Sequence, residues 1–107
     1  MTNSIAAKDV TSIIFACEAG MGSSLMGVSA LKKKLNKADL KVKVVHTAAR
    51  AIPNDANVVV VHKGLSELVK KNHPDAVVIV FSHFMNDPVF DQIVNLLKDD
   101  KELSSSS

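Results

Sequence analysis

The 107-residue chain has neither tryptophan nor tyrosine, a single cysteine, and no apolar run approaching the roughly 18 residues that a membrane-spanning helix needs. Each scarcity excludes something. Without Trp or Tyr, and with lysines set among acidic residues rather than between aromatics, the chain offers no platform for stacking bases, and nucleic acid is not expected as a partner. One cysteine cannot form an internal disulfide, so Cys17 is either a buried small hydrophobe or a thiol kept for its chemistry. The opening MTNSIAAKDV lacks the charged-then-apolar layout of a secretory signal, and with no spanning segment the chain reads as cytoplasmic. What is present is a 47% hydrophobic chain of net charge +2, enough to bury one core and too short for two.

Short β-branched runs alternate with longer segments of helical period, a pattern that predicts the α/β class. The runs are residues 11–16 (TSIIFA), 40–45 (LKVKVV), 57–61 (NVVVV) and 76–80 (AVVIV). The last two are too continuously apolar to have a solvated face and read as central strands. A first helix over 23–37 puts Leu25, Met26, Val28, Leu31 and Leu35 on one stripe, with Lys32, Lys33 and Lys34 mostly toward water. This spacing predicts core packing for Met26. A second helix spans about 65–71, and a third about 89–100, entered through Asn86-Asp87-Pro88. The expected architecture is a four-stranded parallel sheet of order 2-1-3-4 flanked by helices, with residues 10–102 as the domain. Residues 1–9 and 103–107 are expected to be disordered ends or linkers. In that order the sheet reverses beside strand 1, which opens a crevice at the C-terminal strand ends.

Strand 1 gives way to Cys17-Glu18-Ala19-Gly20-Met21-Gly22-Ser23-Ser24, a loop running straight into the first helix. Gly20 and Gly22 allow positive φ and close backbone approach, so successive N–H groups can turn inward as an anion-binding nest. Ser23 and Ser24 suit an N-cap, and the helix they open directs free N–H groups and its positive dipole end to the same point. These donors favour thiolate over thiol at Cys17, against the ordinary cysteine pKa of about 8.5, while Glu18 opposes them with negative charge. The loop therefore reads as a nucleophile facing a phosphate cradle.

The run ACEAGMGSS followed by LMG resembles the active-site loop of the B components of the phosphoenolpyruvate-dependent sugar phosphotransferase system, most of all the mannitol type. The resemblance extends from about residue 10 to 98 and includes the His62-Lys63 pair after strand 3 and Phe84 after strand 4. It implies that Cys17 is a phosphorylation site, and that Glu18, Ala19, Gly20, Met21, Gly22, Ser23 and Ser24 surround the phosphate. It further implies an A component as phosphohistidine donor, and a membrane C component holding the sugar, mannitol or a related hexitol, as the destination. No cofactor is implied. Glu18 stands where many mannitol-type members have aspartate, and His46 and His83 where asparagine is expected.

The layout also resembles the phosphate loop of low-molecular-weight tyrosine phosphatases, where an arginine occupies the sixth position after the cysteine. Here that position is Ser23, so the bidentate clamp on the transferring phosphoryl group is missing, and slow hydrolysis is expected. Asp87-Pro88 is similar to the general-acid segment of those enzymes and is equally an ordinary helix start. His46, His62 and His83 each fall at or just after a strand's C-terminal end, on the rim of Cys17. Their long intervals argue against a metal site. Met21 at the loop tip, with His62 and Phe84, forms the expected partner-binding rim, the methionine supplying an adaptable apolar contact.

Overall fold

The four apolar runs become one parallel sheet in the computed structural model, which describes residues 4–17, 23–82 and 88–104 and, of Cys17, Ser23, Ser24 and Leu25, the backbone alone. In chain order the elements are β1 (Ser4–Ile5), β2 (Ser12–Cys17), α1 (Ser23–Lys37), β3 (Lys43–Ala48), β4 (Val58–His62), α2 (Ser66–Asn72), β5 (Val77–Phe81), α3 (Pro88–Lys98) and β6 (Leu103–Ser104). Across the sheet the strands run β3-β2-β4-β5, all parallel. Counted on the four long strands this is the expected order 2-1-3-4, with the reversal beside β2.

Strand alternation divides the core in two. Ile13 and Phe15 of β2, Val58 and Val60 of β4, and Ile79 and Phe81 of β5 share one face with Val28, Leu31 and Leu35 of α1 and Phe90, Ile93 and Leu97 of α3. Ile14, Ala16, Val59, Val61 and Val78 share the other with Val69 of α2 and with Ala49 and Ile52, at and just after a 3-10 turn (Ala49–Ala51). Burial of each of the valine, leucine, isoleucine and phenylalanine side chains contributes about 1.5–3 kcal/mol. On the first face Phe15, Phe81 and Phe90 form a mutually tilted cluster, with ring centroids 5.1, 6.1 and 5.6 Å apart. Lys34 of α1 bonds Asp91 of α3 at 2.8 Å and ties the two helices across their exposed surface.

Both helices on this face end in the same way. Leu40 N–H donates to the Leu35 carbonyl and Asp39 N–H to that of Asn36, with Asp39 at φ 58°. Lys101 and Asp100 repeat the pattern on Leu96 and Leu97, with Asp100 at φ 56°. These are Schellman closures carrying aspartate where glycine is usual.

Three expectations change. The strands start and stop one to three residues later than the apolar runs, because pairing continues into the polar residues at the sheet's C-terminal end. The chain ends are not loose throughout: Ser4 and Ile5 pair antiparallel with Ser104 and Leu103, and a 3-10 turn covers Ala7–Asp9. Leu103 lies in the core at 1% exposure, so paired and buried structure is found in residues 4–9 and 103–104 as well as in 10–102. Met26 is 49% exposed, since at 100° per residue it falls about 160° around the helix from Val28 and so away from the core stripe.

Candidate active site at the C-terminal rim

Cys17 is the last residue of β2, at the point where strand order reverses, and its Cα pairs with Ala48 of β3. A parallel α/β sheet presents its ligand crevice at this position. Six residues later α1 opens at Ser23, and the first-turn N–H groups of a helix have no partner within it. The backbone thus brings together the two ends of the expected cradle. Glu18, Ala19, Gly20, Met21 and Gly22 lie outside the described residues, as do His83, Phe84 and Asp87. Pro88 takes the first position of α3, as its fixed φ favours.

The rim is ordered across the strands. Ala16 pairs with Val61, so the next step of that register sets His62 beside Cys17, and His62 itself pairs with Phe81. The row reads Ala48, Cys17, His62, Phe81. Alternation assigns positions 17, 62 and 81 to the face covered by α1 and α3, above the phenylalanine cluster. His46 does not belong to this row. Because β3 continues to Ala48, His46 sits two residues inside the strand opposite Phe15, exposed on the sheet's edge. Lys63 follows His62 directly, in the 3-10 turn Lys63–Leu65, and is exposed.

Two contributors to the rim escape a reading of the sequence alone. Phe81 ends an apolar run and looks like core, yet its ring also supports His62. Arg50, the chain's only arginine, is carried to the same end of the sheet by the turn after β3 and is exposed there. No sequence signal marks it, because the end of β3 is set by pairing with β2. Two shallow grooves of about 360 and 380 Å³ lie elsewhere, between α1 and β3 and toward the start of that strand, lined by Asn36, Val42 and Lys43 in common. Among the described residues no three His, Cys, Asp or Glu side chains gather into a metal-binding group, and no helix is long and apolar enough to cross a membrane.

Fold and rim define a parallel α/β protein with a cysteine at the switch point of its sheet, in the connection from β2 to the N-terminus of α1. The chain belongs to the family described as "PTS system, Lactose/Cellobiose specific IIB subunit", which it matches over residues 12–95. It is 44% identical over 91 residues to the mannitol-specific EIICB component of the phosphotransferase system of Bacillus subtilis (strain 168), covering 85% of this chain and 19% of that protein. The component of the same name from Geobacillus stearothermophilus is 43% identical over 89 residues, 83% of this chain and 19% of the relative. That of Staphylococcus carnosus is 40% identical over 96 residues, 89% and 18%. The chain spans about a fifth of the length of these relatives.

Proposed function

We propose that this IIB domain is a phosphocysteine relay, in which Cys17 takes a phosphoryl group from a phosphohistidine of an A component and passes it to a sugar bound by a membrane C component. In the first step the Sγ–P bond forms as the donor's N–P bond breaks. The electron pair stays on the imidazole nitrogen, which takes up the thiol proton. In the second step a sugar hydroxyl oxygen attacks phosphorus, the S–P bond breaks, and the hydroxyl proton restores the thiol. The relatives' names make mannitol, or a related hexitol, the preferred sugar over those in the family's description. Work of this kind belongs at the cytoplasmic face of the membrane.

The observation that carries this reading is the position of Cys17, which ends β2 at the switch point six residues before the first residue of α1. There the backbone donors of residues 18–24 and the positive end of α1 compensate a group that brings about two negative charges. Met21, His62 and Phe84 form the docking rim for the partners, and the exposed side chain of Met26, one turn into α1, extends it. With Ser23 in place of an arginine, the phosphorylated cysteine persists until an acceptor arrives instead of being hydrolysed.

The test is intact-protein mass spectrometry after incubation with phosphoenolpyruvate, the general phosphotransfer proteins and the A component of a mannitol-type transporter. One phosphoryl group, mapped to Cys17, is expected. A chain that stays unmodified, or that turns over aryl phosphates at the rate of a tyrosine phosphatase, overturns the relay.

A further inference from the structure

One rim residue beside Cys17 is held in a single orientation from two sides. Ile14, Phe15 and Ala16 pair in register with Val59, Val60 and Val61, and Cys17 and His62 are the next and last residues of β2 and β4. Adjacent strands lie about 4.8 Å apart, so the same register carried one residue further sets the backbones of Cys17 and His62 side by side at the end of the sheet. Both positions belong to the face covered by α1 and α3. Gly64 N–H donates to His62 Nδ1 at 3.2 Å. On its other side the imidazole meets the ring of Phe81 edge to face, with centroids 5.6 Å apart at 78°. Phe81 is in turn locked against Phe15 and Phe90.

The hydrogen bond decides the tautomer. A nitrogen that accepts from an N–H carries a lone pair, so the neutral ring bears its proton on Nε2, at the opposite corner of the imidazole. We propose that His62 is a phosphoryl-binding residue, whose Nε2–H donates to an oxygen of the phosphoryl group on Cys17. This rests on the relay reading and adds to it a donor from outside the cysteine loop. A neutral donor orients the group without adding the full positive charge that an arginine brings, which suits a phosphoryl group that must leave again.

Three measurements test it. Long-range proton–nitrogen correlation of the unphosphorylated domain is expected to show the Nε2–H tautomer at His62. On phosphorylation through phosphoenolpyruvate, the general phosphotransfer proteins and a mannitol-type A component, the Nε2 resonance shifts while Nδ1 keeps its bond to Gly64. In His62→Leu the phosphoryl equilibrium between A component and Cys17 moves about tenfold toward the A component, as expected for a lost hydrogen bond to a charged group. His62→Gln, which keeps an amide donor, stays within about threefold of wild type. An Nδ1–H tautomer, an unresponsive Nε2, or an unchanged equilibrium in a folded His62→Leu overturns the proposal. Should His62→Leu fail to fold, the two wild-type measurements decide. If the wild-type domain is never phosphorylated, the relay reading falls. If it is phosphorylated and His62 does not respond, only the role of His62 falls.

Discussion

The two faces of the sheet are built differently. One carries two helices, a three-phenylalanine cluster, an ion pair between the helices and two Schellman closures. The other carries the seven-residue α2 and a 3-10 turn over a layer of valine, isoleucine and alanine, and its edge leaves Val45 43% exposed. Cys17, His62 and Phe81 hold positions on the heavier face. The comparison teaches that the cysteine proposed to carry the phosphoryl group is set above the part of the molecule least able to shift. Tilted rings, buried on all sides, resist displacement better than a thin aliphatic layer does.

The most severe test of this contrast is chemical. Cys17→Ser should keep the fold and reduce phosphoryl transfer to background in the mass-spectrometric assay, because a hydroxyl is far less acidic than a thiol in the same setting. Val61→Ala, one position from His62 but on the other face, should cost about 2 kcal/mol in urea denaturation and leave transfer within about threefold. A dead Val61→Ala that is still folded would erase the distinction between the faces. Next in size is packing itself. Phe90→Ala removes a cluster member and should cost about 3–5 kcal/mol, against about 2 kcal/mol for Val69→Ala beneath α2, and equal midpoint shifts would contradict the account. The smallest effect concerns the helix ends. Asp39→Gly relieves a left-handed aspartate and should raise stability by about 0.5 kcal/mol, whereas His73→Gly at the end of α2, where φ is −132°, should lower it. Thermal melts of the two variants that shift in the same direction would break that last distinction.

Much of this was legible beforehand, for reasons that can be named. The parallel sheet and its order follow from continuous valine runs, and α1 from the helical spacing of Val28, Leu31 and Leu35, signals that are strong because central strands and amphipathic helices tolerate few alternatives. The strand ends were not legible. His46, Thr47 and Ala48 have no apolar pattern, and they are in β3 only because Phe15, Ala16 and Cys17 pair with them. The same holds for the rim row, which brings Cys17 and His62 together across 45 positions of sequence through register alone. Met26 misled because it is apolar at nearly helical spacing, and its angle around the helix decides otherwise. Leu103 was hidden by its serine-rich surroundings, and β1 and β6 are too short to show a period.

Because Ser4 and Ser104 are direct partners across β1 and β6, a strand added at either end would leave from one spot. That spot leads through Ala7–Asp9 into the first residue of β2, while Cys17 stands at that strand's last residue, about 17 Å further along. Segments joined there, on one side or both, would hold the domain as a stem holds a flower. The cysteine end of the sheet would face outward, and the whole unit could turn on those segments with no hydrogen bond of the sheet having to open.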